Sequence, residues 1–98
     1  MAQDARVGRA RAGSKVVTMT TRLDLAREVI LTGDFTKWSL TGGKLAKGPD
    51  GAWRISFNIA PGRYQYRLIV DGQWSDHAEA QERVANPFGT QNCVLVVT

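Results

Sequence analysis

Two alternating runs set back to back constrain the fold more than anything else in this chain. In Ala52–Ile59, Trp53, Ile55, Phe57 and Ile59 alternate with Arg54, Ser56 and Asn58. In Tyr64–Val70, Tyr64, Tyr66, Leu68 and Val70 alternate with Gln65, Arg67 and Ile69. A period of two sends successive side chains to opposite faces, so each run reads as a strand with one buried face. Only Ala60-Pro61-Gly62-Arg63 separates the runs, and this short turn predicts that they pair as a hairpin. After the second run, Asp71-Gly72 marks a tight turn, because Gly adopts the positive φ that such turns require. Trp74 arrives directly beyond it.

Shorter segments repeat the pattern. Lys15–Leu23 is rich in β-branched residues and places Val17, Met19, Thr21 and Leu23 on one face. Glu28–Thr32 is a second strand closed by Gly33-Asp34, Lys44–Lys47 a short one, and Gln91–Val97 the last. Gly48-Pro49-Asp50-Gly51 and Asn86-Pro87-Phe88-Gly89 are turns in which Pro presets φ. Asp24–Arg27 is a connection. Ser75–Val84 is polar and reads as a loop or one helical turn, since Asp76 and Glu79 have capping-box spacing. Short strands, Gly/Pro turns and no long helical period predict an all-β antiparallel β-sandwich. The 98 residues suffice for one core.

Several classes fall away. No apolar run approaches the roughly 20 residues of a membrane helix, so no membrane contact is expected. The first residues lack a signal peptide's apolar core, and the last strand ends at Thr98. Neither a secretory leader nor a following catalytic domain is therefore expected. Cys93 is the single cysteine, which excludes an intramolecular disulfide and fits a reducing cytoplasm. Its neighbours make it a small buried hydrophobe. The net charge of +4 suggests a polyanion partner until it is divided. Arg6, Arg9, Arg11 and Lys15 stand against Asp4 alone, whereas the remaining residues hold nine basic and eight acidic side chains. The charge is concentrated in residues 1–15, and residues 1–14, which have little to bury, read as a disordered basic tail ahead of one domain, residues 15–98. Nucleic acid is not the expected partner.

Catalysis finds little support. His77 is the only histidine, no Gly-x-Ser-x-Gly elbow occurs, and the His and Cys count is too low for a zinc site. No phosphate loop or dinucleotide fingerprint is present, so neither metal nor cofactor is expected. Asp71, Asp76, Glu79 and Glu82 could supply a glycosidase pair by number. The acid of such a pair needs a raised pKa in a dry cleft, which one small sandwich has little wall to build.

Binding is better supported. Trp53 is in phase with the core side of its strand, but Trp38 and Trp74 lie just past strand ends among Thr, Lys, Ser, Gln and Asp. Either both cap the ends of the sandwich, or they offer indole faces to a ligand. A sugar ring suits such faces, because its C–H face is apolar and its hydroxyls need polar groups nearby.

Three segments decide between these readings. Gly33-Asp-Phe-Thr-Lys-Trp38-Ser, Tyr66-Arg-Leu-Ile-Val-Asp-Gly-Gln-Trp74 and Asn86-Pro-Phe-Gly-Thr-Gln-Asn92 resemble, in order, the signature segments of carbohydrate-binding module family 48. That family includes the glycogen-binding domain of the AMP-activated protein kinase beta subunit. It also includes the early-set domains of isoamylases and branching enzymes. The resemblance spans residues 15–98 and implies an immunoglobulin-like early-set sandwich that binds α-1,4-linked glucans such as glycogen or starch without catalysis. By residue-to-residue match it implies that Trp38 and Trp74 stack on glucose rings and that Arg67, where the family usually has Lys, meets hydroxyls. It further implies that Phe88, where Leu is usual, sits in or beside the curved glucan while Thr90 and Asn92 hydrogen-bond to it. The Ser75–Ala85 loop lacks the Pro often found there. The partners implied are an α-glucan or maltooligosaccharide and, as the alternative role, a separately encoded glucan-metabolising enzyme or kinase that the module scaffolds.

Overall fold

Each alternating run becomes a strand in the computed structural model, which describes residues 14–98. The expected tail, residues 1–14, lies outside the described residues apart from Ser14. The strands in chain order are β1 (Lys15–Arg22), β2 (Val29–Gly33), β3 (Ala46–Lys47), β4 (Ala52–Ile59), β5 (Gly62–Val70), β6 (Gln73–Ser75), β7 (Glu82–Ala85) and β8 (Gln91–Val97). One 3-10 turn occupies Asp34–Thr36. Every pairing among these strands is antiparallel. One sheet has the order β1-β4-β3 and the other β2-β5-β8-β7. β5 gives one edge to β2 and the other to β8 and then β6, because Tyr66 pairs with both Gly33 and Cys93 while Ile69 pairs with both Ile30 and Trp74. The result is an antiparallel sandwich of the early-set, immunoglobulin-like kind.

Register aligns the inward residues of each sheet. Met19 lies opposite Ile55 and Thr21 opposite Trp53 in one, Leu31 opposite Leu68 and Tyr66 opposite Cys93 in the other. Met19, Val29, Leu31, Leu45, Trp53, Tyr66, Leu68 and Cys93 form one buried cluster between the layers. Burying each large apolar side chain contributes about 1.5–3 kcal/mol, which is what offsets the ordering of so short a chain. Trp53 is core, as its phase demanded, and its indole N–H donates to the Leu23 carbonyl at 3.2 Å.

One expected pairing is corrected. β4 and β5 do not form a hairpin: β4 pairs with β1 and β3, and Ala60-Pro61 carries the chain from one sheet to the other. Alternation determines which face of a strand is buried, but a strand beside it and a strand across from it satisfy the same pattern. Here the two apolar stripes face each other. Phe35 joins them, its ring centroid 5.1 Å from Phe57 of β4 and 6.0 and 6.3 Å from Tyr64 and Tyr66 of β5. The Tyr64 hydroxyl donates to the Ala60 carbonyl at 2.6 Å and closes the corner.

The segment after β6 is a loop without a helical turn, and it ends in β7, an edge strand that Glu-Arg-Val-Ala does not announce. Its anchor is His77, which is buried despite its polar surroundings in sequence. His77 Nε2 lies 2.8 Å from the Thr20 carbonyl, and Nδ1 lies 2.6 Å from the Tyr66 hydroxyl. A carbonyl only accepts, so Nε2 carries the proton and Nδ1 accepts from Tyr66. One imidazole thus ties the loop to both sheets.

Candidate binding site

Because Tyr66 and Leu68 point into the core, Arg67 lies on the outer face of the larger sheet. Its side chain is only 15% exposed, and Nη2 donates to Asp76 Oδ1 at 3.2 Å. The guanidinium carbon lies 5.7 Å from the centroid of the Trp74 ring, within cation–π range. Its Nε has no partner among the described residues, nor has Oγ1 of fully buried Thr32, the residue paired with it on β2. Unpaired buried polar atoms are rare and call for a reason.

Trp74 reaches this face on β6, and the preceding turn sets its place. Asp71 and Gly72 have φ of 50° and 84°, the two left-handed residues of a tight hairpin. Asp71 Oδ1 also accepts from the amides of Arg27 and Glu28 at 2.8 and 2.9 Å, which fastens the turn to the chain entering β2. Trp74 stays half exposed.

Trp38 comes from the segment after β2. A Cβ on Gly33 would meet the Gln65 carbonyl oxygen at 2.4 Å and Tyr66 Cβ at 2.7 Å, so only glycine lets the chain leave β2 this close to β5. The 3-10 turn follows, and then Lys37 and Trp38 both adopt left-handed backbone, with φ of 53° and 58°. That conformation costs about 1–2 kcal/mol for each residue bearing a Cβ and persists only where its surroundings enforce it. The Trp38 amide donates to the Gly33 carbonyl at 2.9 Å, and its indole Nε1 donates to Asp34 Oδ1 at 3.1 Å.

The third wall is the Asn86–Thr90 turn. Asn86 Oδ1 accepts from the amides of Phe88 and Thr90 at 3.0 and 3.2 Å, and Asn86 Nδ2 donates to Thr90 Oγ1 at 2.8 Å and to Asn92 Oδ1 at 3.0 Å. Phe88 is left 88% exposed at the tip. Asn92 Nδ2 donates to Gln65 Oε1 at 2.9 Å, which connects this wall to β5.

These walls enclose an open groove of about 560 Å³. Of the six residues assigned from sequence, Trp38, Arg67, Trp74, Phe88 and Asn92 line it. Thr90 does not line it; it stands two residues from both Phe88 and Asn92, with its hydroxyl engaged by the Asn86 amide. Asp34, Gln65, Asn86 and Pro87 complete the surface. Asn86 and Pro87 stood within a recognised segment, and Asp34 in another. Gln65 carried no signal beyond its outward phase. Aromatic faces, amides and one guanidinium together match a ring that is apolar on its faces and hydroxylated at its rim. Among the described residues, the four carboxylates weighed from sequence are not set as an acid–base pair. Asp71 is capped by amides, Asp76 faces Arg67, and Glu79 accepts from Thr21 Oγ1 at 3.1 Å. Glu82 is hydrogen-bonded by Arg63, which holds its carboxyl below the usual range instead of raising it.

A sandwich with an open, aromatic-walled groove on the outer face of one sheet has the form of a binding module. The sequence model of the family described as the glycogen recognition site of AMP-activated protein kinase matches residues 17–98, and the chain belongs to this family of non-catalytic carbohydrate-binding modules. The chain is 36% identical over 73 residues to Protein PTST homolog 2, chloroplastic, of Arabidopsis thaliana, covering 74% of the chain and 13% of that protein. It is 32% identical over 73 residues to Protein FLOURY ENDOSPERM 6, chloroplastic, of Oryza sativa, with the same coverage. It is 32% identical over 71 residues to the 5'-AMP-activated protein kinase subunit beta-1 of Sus scrofa, covering 72% of the chain and 55% of that sequence. The chain therefore spans about an eighth of the length of the two plant relatives and about half of the third.

Proposed function

We propose that this chain binds α-1,4-linked glucans, such as glycogen, starch or maltooligosaccharides, in the groove walled by Trp38 and Trp74. The carrying observation is that two tryptophans, which sequence places past the ends of different strands, line one groove together with Arg67. In this reading the two indoles stack on glucose rings, the Arg67 guanidinium and Asn92 serve hydroxyls, and Phe88 lies against the turn of the glucan. Thr90 contributes by holding Asn86 and by offering the one acceptor lone pair that its bonds to Asn86 leave over. Shallow, wet sites of this kind give dissociation constants on the order of micromolar to millimolar.

Titration with maltoheptaose or β-cyclodextrin, followed by tryptophan fluorescence, tests the reading. A saturable change should appear and should weaken about tenfold in Trp38→Ala and in Trp74→Ala. A titration without saturation, or one indifferent to both substitutions, contradicts it.

A second role draws on the relative named as a subunit of a kinase. The module is then carried beside a separately encoded enzyme that acts on, or answers to, the glucan. A partner retained by the chain in the presence of excess maltoheptaose supports this role, and loss of that partner to the sugar contradicts it.

A further inference from the structure

The presentation of Trp38 needs an explanation that the stacking role does not supply. Two successive residues with side chains, Lys37 and Trp38, hold left-handed backbone, a conformation kept only where other contacts enforce it. Among the described residues, Asp34 is the one side chain hydrogen-bonded to both the Trp38 indole and the sheet. Its Oδ1 accepts from Trp38 Nε1 at 3.1 Å, and its Oδ2 accepts from the backbone amide of Gln65 on β5 at 2.8 Å. A carboxylate is planar and accepts on both oxygens, so a single rigid group fixes the indole relative to the strand that carries Arg67. The same connection continues to the opposite wall. Gln65 Oε1 accepts from Asn92 Nδ2 at 2.9 Å, and Asn92 Oδ1 accepts from Asn86 Nδ2 at 3.0 Å.

We propose that Asp34 is a positioning residue: its carboxylate clamps the Trp38 indole to β5, so that this wall of the groove is in place before a ligand arrives. A wall ordered in advance saves the entropy of ordering it on binding, which raises affinity without any added contact. The effect on affinity rests on the glucan reading given above. The clamp itself does not.

The experiment separates the two. In a Trp74→Phe background, tryptophan emission comes from Trp38 and from buried Trp53, and acrylamide reaches only an exposed indole. Without sugar, Asp34→Ala should raise acrylamide quenching and shift emission to the red. Asp34→Asn keeps the size but leaves one acceptor where two are used, and should fall between Asp34→Ala and the parent; it carries the test should Asp34→Ala fail to fold. With maltoheptaose, Asp34→Ala should weaken binding about tenfold. Adding it to Trp38→Ala should change affinity less than about twofold, whereas adding it to Trp74→Ala should multiply the two losses. Lost affinity with unchanged quenching means that Asp34 touches the sugar directly, and it overturns the clamp. Unchanged quenching with unchanged affinity overturns it as well. If neither tryptophan substitution alters binding, the glucan reading fails, and the clamp stands or falls on the sugar-free quenching.

Discussion

Three tryptophans share one side chain and divide by environment. Trp53 is 6% exposed within the core, so Trp53→Ala should cost about 3–5 kcal/mol in urea denaturation, the range for emptying a large buried site. Trp74 is 50% exposed, and Trp74→Ala should leave stability within about 1 kcal/mol while it weakens glucan binding. Phe88 sharpens the contrast. At 88% exposure Phe88→Ala should leave the urea midpoint unchanged, and any loss of maltoheptaose affinity then belongs to the groove alone. The separation of Trp53 from the other two was legible, because phase with Ile55 and Phe57 is a property of neighbours in sequence. The roles of Asp34 and His77 were not. Asp34 finds its partner 31 residues away on Gln65, and His77 is fixed by Thr20 and Tyr66 from different sheets. A polar side chain's job depends on which distant group the fold sets beside it, and local pattern does not carry that.

Among the elements, two turns place the tryptophans, and each has a glycine with a physical reason. At Gly33 an added Cβ collides with the backbone oxygen of Gln65 and with Tyr66 Cβ. Gly33→Ala should destabilise the fold by about 1–3 kcal/mol and should also reduce glucan affinity, since the displaced segment carries Asp34 and Trp38. At Gly72 nothing lies within 4 Å, but φ is 84°, so Gly72→Ala should cost about 1 kcal/mol through backbone strain alone. Circular dichroism melts of both variants, read beside their maltoheptaose titrations, check these values. The strands themselves were readable from alternation, and β4 and β8 match their expected bounds. Pairing was less readable. The Ala60-Pro61 connection looked like a hairpin turn and is a crossing between sheets, because short connections serve both and alternation names only the buried face. β7 escaped notice because an edge strand of four residues needs little apolar pattern.

At the scale of the molecule, charge and burial shape the response to pH. Arg54 hydrogen-bonds the Asp50 carboxyl, with help from the Ala52 amide, and holds it well below the usual carboxylate range. Arg63 does the same for Glu82. A carboxyl lowered in the folded state stabilises the fold above its unfolded pKa of about 4, and that contribution is lost as pH falls through the folded value. Burial pushes the Tyr66 hydroxyl up, and it gives the opposite limb: its contribution is full below about pH 10 and is lost as pH rises beyond. These groups should therefore lower the urea midpoint as pH falls below about 4 and as it rises above about 10. Asp50→Asn with Glu82→Gln should shrink the acid slope, and Tyr66→Phe the alkaline one. Both paired carboxylates are at the surface, so salt should weaken the acid slope further.

The groove is the feature to which the sequence and the fold both lead, since the sandwich brings residues from β5, β6, β8 and two loops to one face. Its function rests most directly on one measurement, the binding isotherm of maltoheptaose compared between the parent protein and the double variant Trp38→Ala/Trp74→Ala, both shown to be folded. A saturable isotherm in the micromolar to millimolar range that disappears in the double variant is the predicted result. An isotherm of equal midpoint in the two proteins, or none in the parent, contradicts it.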